Sequence, residues 1–300
     1  VLINTQQLWQ IVDLGMVAEL SADELIPPAN FFPVARNAVI YRTQTVGIPY
    51  VVDVTHLIYE KESIDTVPID WAELMTGEHT FVFPAAEVGT PNATLLQYIG
   101  AGGVLLEDGS VGNPDVLEDF FTFVAQARQR EIIPATVLDL PGYNSVWRAF
   151  SEGRADLATV QVEQFYPNAA GVKPPGYALV PTRNGLGISV TDTWAFAVLT
   201  DDAQRRELAF ALINDLLSPE IQGPWSQGVA RLPSSPAAFA NWSQANDYRD
   251  FIQLLLGDAI APPNGPAFAE FARRLHAAQA GVIRGDLTVE AAVASMGVVE

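Results

Sequence analysis

Apolar residues along this chain follow two rhythms, and the two alternate. Short blocks such as VLI (1–3), TFVFP (80–84), ADLATVQV (155–162), YALVP (177–181) and TWAFAVL (193–199) have the length and composition of strands. The longest block is TVGIPYVVDVTHLIYEKE (45–62), apolar on both parities at 57–59, as in a strand covered on both faces. Three-to-four spacing predicts helices over 6–14, 113–131, 144–152, 201–217, 219–228, 246–256, 266–282 and 287–296. Leu117, Phe120, Phe121 and Val124 form the apolar face of the second. The same patterning assigns Trp71, Phe123 and Trp147 to the core.

Polar residues punctuate these blocks. Asp70-Trp71-Ala72-Glu73 has capping-box spacing. Thr90-Pro91 and Asn113-Pro114 each read as a cap followed by a first-turn proline, the first opening a helix that ends in GAGG (100–103). Asp201 and Asp202 open a helix, where acids suit the dipole. DELIPPANFFP (23–33) is a proline-rich connection, and VLLEDGSVG (104–112) predicts a hairpin about Asp108-Gly109. Strands interleaved with helices, then a helical end, argue for an α/β architecture with largely parallel sheets. No long linker divides the chain, so two domains would be joined by short crossings, with Gly47–Pro49 and Pro181–Gly187 as candidates.

Composition narrows the function classes. The 300 residues allow two domains or one large one, and 49% hydrophobic content supports a sizeable core. A net charge of −19 leaves little from which to build a basic face, so nucleic acid and anionic surfaces are disfavoured partners. The absence of cysteine removes disulfides, thiol nucleophiles and thiolate metal sites. His56, His79 and His276 have no ligand spacing, so no metal is expected. Gly185-x-Gly187 lacks the rest of a dinucleotide fingerprint, no nucleophile elbow occurs, and no cofactor is expected. The pairs Glu107/Asp108 and Asp201/Asp202 sit in a turn and at a helix start, which are structural positions.

What remains is a set of polar and aromatic residues at strand and helix ends, where open α/β sheets bind ligands. These candidates are Asn4, Gln6, Gln7, Tyr50, Asp53, Asn92, Glu163, Phe165, Tyr166, Trp194 and Trp225. Carboxylates and amides there can bond hydroxyls, and aromatic faces can stack on sugar rings. Asp53 stands out, since a strand of valines should not hold an unpaired acid.

Several segments, in order, resemble one family. GIPYVVD followed by LIYEKE, IDWAEL, GAGGVLLEDGS, AFSEGRADLA, ALVP with TWAFAV, and LLSPEIQ followed by GVARLP match its recurring motifs along the chain. The family is the extracellular solute-binding proteins of ABC importers, of the carbohydrate-binding type that includes the maltose-binding protein family. The resemblance implies a two-lobed α/β fold of the periplasmic-binding-protein (Venus-flytrap) kind. Lobe 1 would comprise 1–51 and 182–236, and lobe 2 would comprise 52–181 and 237–300. It also implies capture of a sugar in the inter-lobe cleft by hinge closure, with delivery to membrane permease subunits.

Carried over by position, Gln6, Gln7 and Trp194 would serve lobe 1 and Asp53 the hinge side. Asn92 and the loop from Glu163 to Tyr166 would serve lobe 2. Two departures stand out. The family's stacking tryptophan falls near Glu163, with only Phe165 and Tyr166 close by. The family's first strand, first helix and second strand have no counterpart before Val1. Lobe 1 is therefore expected to be completed by a further segment or a second chain. The expected location is extracellular, lipid-anchored or periplasmic. The alternatives are an α/β carbohydrate-active enzyme using Asp53 and Glu163 as paired acids, or a ligand-sensing domain.

Overall fold

The computed structural model describes residues 1–20, 24, 26–87, 89–169, 171, 173–243 and 246–297. Asp23 and Leu25 of the expected proline-rich connection lie outside these residues. The chain opens with β1 (Leu2–Asn4), a 3-10 turn at Thr5–Gln7 and α1 (Leu8–Asp13). Next come α2 (Pro33–Asn37), the ribbon β2 (Ile40–Tyr41) and β3 (Gln44–Thr45), and the long β4 (Ile48–Tyr59). The middle holds α3 (Trp71–Thr76), β5 (Phe81–Val82), α4 (Asn92–Gly100), α5 (Pro114–Gln129), α6 (Tyr143–Ser151), β6 (Leu157–Gln161), α7 (Val162–Phe165) and β7 (Gly176–Ala178). Then follow β8 (Ser189–Phe196), α8 (Ala203–Leu217), α9 (Pro219–Gly228), β9 (Leu232–Pro233), α10 (Pro236–Phe239), α11 (Asn246–Asp258) and β10 (Ala259–Ile260). α12 (Pro266–Arg284) and α13 (Val289–Ser295) end the described chain.

Two compact units result. Unit 1 holds Val1–Val54 and Thr191–Pro266, and unit 2 holds Thr55–Val190 and Ala267–Glu300. The chain thus passes between units at 54/55, 190/191 and 266/267, where the sequence reading placed the passages at 51/52, 181/182 and 236/237. The first two passages fall inside β4 and β8, and the third at the start of α12.

β4 organises both units. In unit 1 its first half pairs β8 on one edge and, at Val51 and Val52, β9 on the other. β1 then adds to the far edge of β8. In unit 2 its second half pairs β6 and β7, and β5 follows β6. These pairings are antiparallel apart from β5 with β6, so the expected parallel sheets are corrected to a mixed one. The reason is local. β4 is flanked by strands that return against it, whereas β5 and β6, which pair with each other, are joined by a helical crossover, α4 to α6, long enough for parallel pairing.

Local signals explain most element ends. Asp70 accepts the Glu73 backbone N–H at 2.8 Å, while the Glu73 carboxylate takes that of Ile69 at 3.0 Å. Asn113 and Asp202 cap α5 and α8 through the N–H groups of Asp115 and Arg205. Thr90 does not cap α4, because Pro91 occupies the N-cap and Asn92 donates instead to the Thr90 carbonyl, at 2.9 Å. The 104–112 hairpin is also absent. Asp108 instead accepts the Ser110 N–H and hydroxyl in a local turn, and Gly109 donates to the Leu106 carbonyl. Gly109 has φ +68°, and a Cβ there would lie 2.4 Å from the Ala267 carbonyl oxygen. The turn is shaped to seat the start of α12.

Unit 2 is built around aromatic side chains. Phe81, Phe83, Tyr98, Phe120, Phe121 and Phe271 are fully buried, and Trp71 stacks on Phe123 with centroids 4.0 Å apart. Trp147 is only half-buried, 6.2 Å from the Phe150 ring, so it is an edge residue rather than core. In unit 1, Leu8, Val39, Tyr41, Val46, Ala195 and Ala197 form one buried cluster. Ala18, Phe31, Ile48, Val198 and Ile213 form a second.

His56 lies in β4 with no exposed surface, edge-on to Phe165 at 5.4 Å. Burial pulls its pKa from 6.5 to about 4, against a smaller opposing effect of the Leu57 carbonyl. The folded chain therefore binds fewer protons than the unfolded chain between those values. This contribution to stability is complete above pH 6.5, falls as pH drops through the window and levels off below about 4. The fall is up to about 3 kcal/mol. Urea unfolding across that range is expected to show it, and His56→Gln to flatten it. An undiminished slope in the variant would assign the effect to other groups.

Candidate functional site

The polar residues of unit 1 collect on one face of its sheet because of strand register. Directly opposite residues of an antiparallel pair share a face. Asp192 of β8 lies opposite Asp53 of β4, and Trp194 lies opposite both Val51 and Asn4. Along β8 the residues of this face, Asp192, Trp194 and Phe196, are half-exposed, while the alternate ones are buried. Asp53 is fully buried, and its Oδ1 accepts the Val54 N–H at 2.9 Å. The Asn4 amide donates to Asp192 Oδ1, and Arg231 stands 3.7 Å from Asp192 Oδ2. Asn4 also caps the following turn by accepting the Gln6 N–H at 3.0 Å. Two acids thus face each other, with one amide and one guanidinium against them.

A bulge sets the aromatic residues beside them. The β4–β8 register shifts between Pro49 and Val51, leaving Tyr50 as the extra residue. Pro49, which has no N–H to give a ladder, is tolerated at such a place. The Tyr50 carbonyl takes the Gln222 amide at 2.6 Å and the Ser234 N–H at 3.0 Å. The Ser234 hydroxyl donates to the Pro49 carbonyl at 2.8 Å. Held this way, the Tyr50 ring sits 4.8 Å from Phe196 and 5.0 Å from Trp225. Burial raises the Tyr50 pKa. Tyr50 is interior, whereas Trp225 is 41% exposed. Gln6 donates to the Pro262 carbonyl at 2.9 Å, tying the turn after β1 to the loop after β10, and Gln7 is exposed.

In unit 2, Asn92 opens α4 nearly buried, with its Oδ1 lacking a hydrogen-bond partner. Glu163 and Tyr166, in α7 and the turn after it, are half-buried. Phe165 is 2% exposed and packs edge-on to His56 and Tyr177, a core position rather than a stacking platform. The structure therefore gathers Asn4, Asp53 and Trp194 on one face of unit 1, with Tyr50 and Trp225 in one aromatic row.

The sequence profile of the bacterial extracellular solute-binding proteins matches residues 1–249. The chain belongs to that family. No curated protein matches it in sequence. Maltose-bound MalE3 of T. maritima is 18% identical with a TM-score of 0.80, over 98% of this chain and 82% of that one. The GacH receptor of Streptomyces glaucescens, solved unliganded and with acarbose, is 18% identical with a TM-score of 0.79, over 99% and 81%. The maltose/maltodextrin-binding domain MalE from Bdellovibrio bacteriovorus, bound to maltotriose, is 21% identical with a TM-score of 0.76, over 98% and 82%. The α/β fold expected from the resemblance is the one found.

For this solute-binding protein, sequence patterning missed Asp192, which lies opposite Asp53, and Arg231, which stands against Asp192. Asp192 carried the same signal as Asp53, an acid inside a strand, but its meaning depends on register. Arg231 offered none. Arg231→Met should lower stability by about 1–2 kcal/mol, because two facing acids lose a cation. Urea unfolding of both forms in low and high salt measures this, and a deficit that salt leaves unchanged would give Arg231 a packing role only.

Proposed function

We propose that this chain captures a neutral sugar or oligosaccharide for an ABC importer. The observation that carries the reading is the half-exposed unit 1 face of Asp192 and Trp194, with Asn4 bonded to Asp192 and the buried Asp53 opposite it. Ionised acids accept hydroxyl donors strongly, and an indole face suits the C–H face of a sugar ring. Trp225 adds an exposed aromatic surface nearby in the same unit. Asn92, Glu163 and Tyr166 are candidate contacts in unit 2, and Gln6 and Gln7 further candidates in unit 1. Family membership supports a binding role rather than an enzymatic one, an extracellular location, and permease subunits as recipients. The neighbours solved with maltose and maltotriose direct the choice of solute to sugars. Lipid anchoring or a periplasmic home are both compatible with this role.

Calorimetry against a panel of mono- and oligosaccharides tests the proposal. A polyamine or peptide binding where no sugar does would overturn it. Asp53→Ala is expected to weaken sugar binding at least tenfold, about 1.4 kcal/mol. Its effect on Tm should be small, because removing one of two facing acids also relieves repulsion. Losses of equal size in binding and stability would make Asp53 a structural residue.

A further inference from the structure

We propose that His276 is a ligand contact of unit 2, presenting its Nε2 lone pair to a sugar hydroxyl. This rests on the sugar-binding reading above and adds to it a residue from α12. The argument begins with a hydrogen-bond chain sealed between α4 and α12. Gln279 Nε2 donates to Gln97 Oε1 at 2.9 Å, and the Thr94 hydroxyl donates to Gln279 Oε1 at 2.6 Å. Thr94 has only one proton, and it is spent on Gln279. The 2.9 Å contact between Thr94 Oγ1 and His276 Nδ1 must then be donated by the histidine. That places the ring proton on Nδ1 and leaves Nε2 an acceptor.

No described residue bonds Nε2, and His276 is half-buried, whereas Thr94, Gln97 and Gln279 are buried. Burial also holds the His276 pKa below its ordinary value, so the lone pair persists at neutral pH. A second, independent feature lies in the same first turn of α4. Asn92 is 6% exposed, and its Oδ1 has no donor. This end of unit 2 therefore offers two acceptors without donors, which is what a ligand rich in hydroxyls supplies.

His276→Asn separates the contact from the fold. Asparagine can place its amide where Nδ1 was and keep Thr94 bonded, but has no atom at Nε2. It is expected to weaken binding of a neutral oligosaccharide such as maltotriose about three- to tenfold, with an unchanged Tm. His276→Gln, which restores a polar atom near Nε2, should recover part of the affinity. Nitrogen-15 NMR of the wild-type histidines gives the complementary reading. It should show the Nδ1–H tautomer, with the Nε2 resonance shifting on saturation with sugar. Wild-type affinity in His276→Asn, an Nε2–H tautomer, or an unmoved Nε2 resonance would each overturn the inference and leave the sugar reading standing. If the wild type bound no sugar of the panel, both would fall together.

Discussion

Two carboxylates face each other across β4 and β8, and the architecture of unit 1 is arranged to keep them there. Like charges directly opposite in a sheet repel. The answers come from separate parts of the chain: the Asn4 amide from β1, the Arg231 guanidinium from the turn after α9, and the Val54 N–H from β4 itself. Each requires its element to be in place, so the acids couple the edge strand, the central strand and a helix terminus. The Tyr50 bulge, pinned by Gln222 and Ser234, completes the same surface with aromatic rings.

Unit 2 solves a different problem. Its interior is ring against ring, and three of its buried polar side chains, Thr94, Gln97 and Gln279, are bound into one chain that ends at His276. A low-dielectric interior makes such a chain stabilising only when its inner members are satisfied. Here the internal donors and acceptors pair off, and the remaining valence lies at the partly exposed histidine. The unit has rigidity from packing and direction from hydrogen bonds.

Much of the fold was legible because it is local. The caps at Asp70, Asn113 and Asp202 need only a side chain and an N–H two or three residues on, and sequence spacing carries that. β4 announced itself by apolar residues on both parities. Strand direction was not legible, since alternating strands and helices suit parallel and mixed sheets alike. The Asp108-Gly109 signal gave a turn correctly but not a hairpin, because a ladder needs a partner strand that the turn does not specify. Of the candidate site, Asp53 was visible as an acid among valines and Trp194 as an aromatic at a strand end. Asp192, Arg231 and His276 acquire meaning only from register and packing between distant segments, and Phe165 looked available until its ring was seen enclosed.

The passages between units have a consequence for synthesis. The Val1 backbone nitrogen donates to the Ala197 carbonyl, 196 positions along the chain. β1 therefore has no β8 to pair with until residues 189–196 have been made. Unit 2 likewise receives α12 and α13 only after the 191–266 portion of unit 1 has been made. Neither unit can close vectorially, so loop-closure entropy is met late, and the barrier to folding is set by topology.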